Sequence, residues 1–136
     1  MRQPMIITDR DYQQLMRLME LASLNSKMPK VTNRLFKKLL AAQLLPQAEI
    51  DSKVVTMNSR VKLKDVRNKR EAEITVSYPQ DAEPSEGRIS VLSEIGLALL
   101  GRRENDIVSW SIPNGIGMFE VEKVVYQPEA AGDYAL

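Results

Sequence analysis

A chain of 136 residues suffices for one sizeable core, or for one compact domain with an appended helical element, and is too short for two full-sized domains. It contains no cysteine and no histidine, which excludes disulfides, Cys or His nucleophiles, zinc clusters and the commonest general base. Its net charge of +1 is too small for a dedicated nucleic-acid binder, yet the charge is unevenly spread: the first 50 residues hold eight Lys/Arg against four Asp/Glu, the remainder eleven against fourteen.

At the start of the chain, residues 1–8 lack the apolar core of a signal peptide, and no apolar run approaches the ~20 residues that span a bilayer, so a soluble cytoplasmic protein is expected. Thr8 is placed to cap a helix whose first turn carries Asp9 and Asp11, where negative charge suits the helix dipole. Tyr12, Leu15, Met16, Met19 and Leu21 or Ala22 follow at helical spacing. A second helix is expected after Pro29, with Val31, Leu35, Leu39 and Ala42 as its stripe, Phe36 and Leu40 widening it and Pro46 ending it. Residues 25–30 then form the turn of an antiparallel helical hairpin, a short coiled coil of helices about 15 residues and roughly 22 Å long. Neither helix buries its stripe without the other. Lys27, Lys30, Arg34, Lys37 and Lys38 concentrate the basic excess, either as a solvated helix face or as an arm that meets a negatively charged surface.

Residues 47–52 are a polar connection and divide the chain into a hairpin, residues 1–50, and a second part, residues 51–136. Beyond it the period changes to two: Val54-Val55, Val61–Val66 and Glu71–Tyr78 read as strands, with Asn68–Arg70 as the turn joining the last two. The stretch 79–87, PQDAEPSEG, has the prolines, acids and glycine of an exposed loop. Ile89 and Val91 alternate as in a strand, Ser93 is placed to cap a short helix that runs to Gly101, and the Asn105-Asp106 turn leads to Ile107. Residues 107–112 and 117–126 are expected to pair around Pro113-Asn114-Gly115. The fold class is therefore α+β: a helical hairpin attached to an antiparallel sheet covered by one short helix. The tail, residues 127–136, holds Pro128 and Gly132 and is unsuited to a strand; packing back on the domain, docking on a partner subunit and fraying all remain open for Tyr134 and Leu136.

The stretch 88–108, RISVLSEIGLALLGRRENDIV, followed by Pro113-Asn114-Gly115, resembles the C-terminal domain of the bacterial GreA/GreB transcript cleavage factors, where an I-S-x-x-S-P-x-x-x-A-L-x-G…G-D pattern precedes a P-x-G hairpin. The likeness reaches back to Val54–Val61 and forward to Val121–Tyr126. VVTMNSRVKLKD and YQPEAAGDYAL are similar to the Rnk group, the regulators of nucleoside diphosphate kinase, which are relatives of the Gre factors. The resemblance implies that the sheet part is FKBP-like, that RNA polymerase is the partner, and that the segment leading into the short helix docks on the rim of the polymerase secondary channel. The matching residues are Leu92, Ser93 and Glu94, with Glu94 standing where the family has proline. Ser93 serves equally as a plain helix cap, and Ile95, Ala98, Leu99 and Leu100 suit a core.

In the Gre factors, the resemblance further implies, a longer coiled coil enters the channel and an acidic tip helps hold a catalytic metal, because carboxylates supply the hard oxygen ligands that a divalent ion needs. Here the tip is Asn25-Ser26-Lys27-Met28-Pro29-Lys30, with two lysines and no acid; Glu20 is the nearest acid upstream. The expectation is a regulator without enzymatic activity, metal, cofactor, membrane association or sequence-specific DNA binding, which competes with Gre-type factors and affects nucleoside diphosphate kinase indirectly. The alternative is a GreA/GreB-like cleavage factor. An FKBP-like sheet also raises prolyl isomerisation, which needs an aromatic-lined pocket. Tyr78, Trp110, Phe119 and Tyr126 instead suit a core or one sheet face, and fold analogy does not transfer chemistry. No phosphate-binding loop or dinucleotide fingerprint is present.

Overall fold

The computed structural model describes residues 5–23 and 30–134. Of the expected hairpin tip, Asn25, Ser26, Lys27, Met28 and Pro29 lie outside the described residues, while Lys30 opens a helix and is exposed. Strand β1 (Ile6–Thr8) leads directly into α1 (Asp9–Ser23). The Thr8 hydroxyl accepts the Asp11 N–H at 3.0 Å, so the expected N-cap forms and satisfies one of the unpaired donors of the first turn.

Helix α2 (Lys30–Leu40) is shorter than its apolar pattern suggested. Instead of continuing to Pro46, the chain turns at Ala41-Ala42 and becomes extended as β2 (Gln43–Leu45), which pairs in parallel with β1. Two physical effects override the helical pattern. Pro46 disfavours helical backbone in the residue before it, and the exposed backbone of the segment before α1 offers hydrogen bonds, the first being Gln43 N–H to the Met5 carbonyl at 2.8 Å.

The main sheet has the spatial order β5-β4-β3-β7-β6, with β3 at Arg60–Asp65, β4 at Glu71–Ser77, β5 at Arg88–Ser90, β6 at Ile107–Ile112 and β7 at Gly115–Tyr126. All its pairs are antiparallel except β4 with β5, which run parallel because the loop 79–87 carries the chain back to the other end of β4. That loop contains two short 3-10 turns and is largely exposed, as its composition suggested. The register between β3 and β7 slips twice, at Arg60/Val61 and at Lys62/Leu63, and such bulges increase local twist. Val54-Val55 is not a strand: Val54 makes an isolated bridge to Arg103, and Val55 exchanges backbone bonds with Gly101 and Arg102. Both side chains are nonetheless fully buried.

Short helix α3 (Glu94–Leu99) packs on β6, and a further one-turn helix, α4 (Pro128–Ala131), begins the tail. One apolar cluster joins both parts of the chain. Ile7, Leu15, Met19, Leu35 and Leu39 from the N-terminal elements meet Val55, Val61, Leu63, Val76, Val91, Leu97, Leu99 and Val121. The class is α+β.

Candidate functional site

The segment 90–96 forms a tight corner between β5 and α3. The Ser93 hydroxyl accepts the Gly96 N–H at 3.1 Å, as an N-cap should, and donates to the Ser90 carbonyl at 2.6 Å. The Ser90 hydroxyl in turn accepts the Leu92 N–H at 3.0 Å. Leu92 and Ser93 are half-buried and Glu94 is exposed. The corner therefore holds its backbone by its own hydroxyls and leaves the Glu94 carboxylate facing solvent. Gly96 makes the corner this tight: a Cβ at that position would lie 2.2 Å from the Ser90 carbonyl oxygen and 2.8 Å from the Val91 Cα. Sequence reasoning passed over Gly96 because its backbone is ordinary helix and nothing but the tertiary contact marks it.

Beside this corner lies a depression of about 240 Å³. It is lined by Glu94 and Ala98 of α3, Ser109, Trp110 and Ser111 of β6, Ile116 of β7 and Arg34 of α2. The Trp110 ring is stacked on Phe119 at 4.2 Å between centroids and 6° between planes, which fixes the orientation of the indole lining the depression. Of the aromatic residues expected in the sheet, Trp110 and Phe119 are thus paired with each other, while Tyr78 lies against Asp11 and the Tyr126 hydroxyl donates to Asp133. The presence of Arg34 was not legible from spacing, since it comes from α2. Nearby, the Lys38 ammonium of α2 donates to the Leu97 carbonyl at 3.4 Å. Part of the basic stripe of α2 is therefore spent on α3, while Lys37 and Lys30 are exposed.

A larger depression, about 410 Å³, lies between α1 and the end of β4, lined by Gln14, Arg17, Leu18, Leu21, Tyr78 and Gln80. It contains no constellation of acids or nucleophiles. Among the described residues no group of three or more Asp or Glu is placed to hold a metal ion, and no helix is long and apolar enough to cross a membrane.

Behind the corner the helices, sheet and tail meet at a buried polar junction. Asp11 is 1% exposed, and its carboxylate accepts the Met57 N–H at 3.0 Å. Burial pushes the Asp11 carboxyl up to about 7; the pull of the Met57 N–H opposes this, and the nearby Glu129 reinforces it. Tyr78 packs against the same carboxyl, and its hydroxyl is driven well above the usual phenol range, by burial first and by Asp11 second. Glu129 of α4 accepts the Thr56 hydroxyl at 2.7 Å, and Thr56 shares a 2.8 Å hydrogen bond with Ser59. Gln127 donates to the carbonyls of Asp51 and Val54, each at 2.8 Å. At the start of the tail, Gln127, Pro128 and Glu129 are buried against the domain, whereas Tyr134 is 44% exposed and Leu136 lies outside the described residues. No sequence pattern announces such a junction, because its partners are separated by up to 76 residues.

Comparison with known proteins agrees with this architecture. The family described as "Transcription elongation factor, GreA/GreB, C-term" matches residues 50–126, more than half of the chain. The regulator of nucleoside diphosphate kinase of Escherichia coli K12 is 39% identical over 107 residues, covering 78% of this chain and 79% of that protein. The chain belongs to the Rnk group of the GreA/GreB family. The GreA elongation factor of Clostridioides difficile is 37% identical over 83 residues, 61% of this chain and 52% of its own length, so the chain matches about half of that relative. Among solved structures, a prokaryotic GreA/GreB elongation factor from Nitrosomonas europaea superposes with a TM-score of 0.79 at 29% identity, covering 92% of this chain and all of that one. The family match spans the corner at Leu92, Ser93 and Glu94, together with β3 to β7.

Proposed function

We propose that this Rnk-group protein is a non-enzymatic transcription regulator that binds RNA polymerase near its secondary channel and competes there with Gre-type factors. The docking element is the α3 corner: Leu92 and Ser93 set its shape and Glu94 presents its charge. The family match over residues 50–126 supports a Gre-type docking part and is compatible with a division into residues 1–50 and 51–136. On this reading the sheet part is FKBP-like and α1 and α2 form a short coiled-coil hairpin at the channel mouth.

The observation that carries competition rather than cleavage is the sequence Asn25–Lys30, which has no carboxylate with which to bring a metal ion to the polymerase active centre. With α1 of 15 residues and α2 of 11, the helices are also short. The protein thus acts in the cytoplasm, without cofactor, and any effect on nucleoside diphosphate kinase is indirect, through transcription. The second reading, a cleavage factor like GreA, is favoured by the family relation alone.

The test uses core RNA polymerase stalled in a backtracked complex, scoring binding of the protein and release of short 3′ RNA fragments with and without a Gre factor. Binding that suppresses Gre-stimulated cleavage is expected. Cleavage stimulated by the protein itself would establish the second reading.

A further inference from the structure

The outward face of the main sheet is divided into two unlike halves. Over β3 and β4 it is a lattice of ion pairs: Arg60 with Glu73 at 3.4 Å, and Lys62 with both Glu71 at 3.2 Å and Glu122 at 3.9 Å. The Lys62–Glu71 contact holds the ammonium pKa up and the carboxyl pKa down. Over the β6–β7 end the same face is mixed, with large apolar side chains set among Ser109, Ser111 and Glu120. The register places Ser109 beside Met118 and Ile107 beside Glu120, while the Val66 N–H bonds to the Met118 carbonyl at 3.0 Å. Val66, Met118, Ile107 and Ile116 therefore share one face, with Met118 between the others, and are exposed by 37, 47, 50 and 62%. Four large apolar side chains gathered on a sheet face with this exposure mark a surface for a partner.

The rim of this patch is basic. The turn after β3 carries Arg67, Lys69 and Arg70, and no carboxylate of the described residues pairs with any of them. The turn's own acid, Asp65, is occupied: its carboxylate accepts the Arg67 N–H at 2.8 Å and the Asn68 N–H at 3.3 Å. Lys69 sits at φ 64, a left-handed position that costs a non-glycine residue some energy, with its side chain in solvent. The Arg67 guanidinium donates to the Ile116 carbonyl, which ties the basic turn to the tip of the β6–β7 hairpin and makes rim and patch one surface.

We infer that this surface, Val66, Met118 and Ile107 with Lys69 and Arg70 at its edge, docks an acidic amphipathic segment of a partner protein. Unpaired cations accept carboxylates, which guanidinium groups hold with two parallel bonds, while the apolar centre takes the partner's aliphatic side chains. A nucleic acid is the poorer fit. Nucleic-acid surfaces interleave their cations with aromatic platforms, and here Trp110 and Phe119 lie stacked on the opposite face of the sheet. The surface is centred away from the α3 corner, with Ser109, Ser111 and Ile116 of the β6–β7 hairpin bordering both, and the inference stands independently of the polymerase reading.

The test is fluorescence anisotropy with three labelled probes at low salt: a 15-residue amphipathic peptide of leucine and glutamate, the same peptide with lysine for glutamate, and a 15-nucleotide single-stranded RNA. The acidic peptide is expected to bind saturably, and Met118→Asp and the double variant K69E/R70E are each expected to weaken it at least tenfold. All three residues are exposed, so unchanged circular dichroism is the control, and K69Q/R70Q gives a smaller loss in the same direction. Equal binding of the acidic and basic peptides, tighter binding of the RNA, binding that ignores these substitutions, or no saturable binding of the acidic peptide would each overturn the inference.

Discussion

The α3 corner and the Asp11 junction use polar groups in opposite ways. At the corner, hydroxyls satisfy backbone donors and the charged group, Glu94, stays in water. At the junction the charged groups are inside: Asp11 and Glu129 are both under 10% exposed, and each is bonded to a neighbour distant in sequence. A buried carboxylate costs stability unless it is hydrogen-bonded or neutralised, whereas an exposed one costs little and is free for a partner. On the proposed reading the junction is architectural and the corner is where the partner is recognised. Substitutions at the first should move stability, and substitutions at the second should move binding.

The largest effect is expected where the corner depends on architecture too. Gly96→Ala forces a methyl into the Ser90 carbonyl, so the backbone must shift, at a cost of about 1–3 kcal/mol or more in denaturant unfolding. Equal stability of variant and wild type would show that the corner is not rigid. Next comes Asp11→Ala, which leaves the buried Met57 N–H unpaired and is expected to cost about 1–3 kcal/mol.

Asp11 also predicts a pH dependence of unusual sign. Its folded pKa of about 7 lies above the ordinary value of 3.8, so between these values the folded chain holds more protons than the unfolded one. This stabilisation is fully present below the lower value and is lost as the pH rises through about 7. Unfolding followed by denaturant at pH 5 and pH 8 should show wild type gaining on the order of 1–3 kcal/mol at the lower pH from this group. Asp11→Asn, which keeps an acceptor for Met57, should flatten that profile; an unchanged profile in this variant would assign the dependence elsewhere. Smallest is Ser93→Ala, expected to cost about 1 kcal/mol through the lost cap. Thermal melts would detect it.

Much of the sheet was legible because its signals are local. Alternation in Glu71–Ser77, the Asn68–Arg70 turn, Ser93 before an apolar run and Pro113-Asn114-Gly115 between two strands each constrain a few adjacent residues. What escaped reading depends on contacts far apart in the chain. Gln43–Leu45 continues a helical pattern and is extended only because β1 offers a partner. Val54-Val55 has the composition of a strand and is buried as loop. At the candidate site, Leu92, Ser93 and Glu94 could be named from a motif, whereas Arg34, Gly96 and Trp110 join them only through the packing of α2, α3 and β6.

The most direct test of the division between corner and junction is the affinity of core RNA polymerase for wild type, Glu94→Arg and Asp11→Asn, measured at a pH where all three are folded. Glu94→Arg is expected to bind at least tenfold more weakly, a change of about 1.4 kcal/mol, with its unfolding curve unmoved, while Asp11→Asn binds as wild type does. Polymerase binding that survives Glu94→Arg, or fails with Asp11→Asn while the chain stays folded, would contradict the assignment of recognition to the α3 corner.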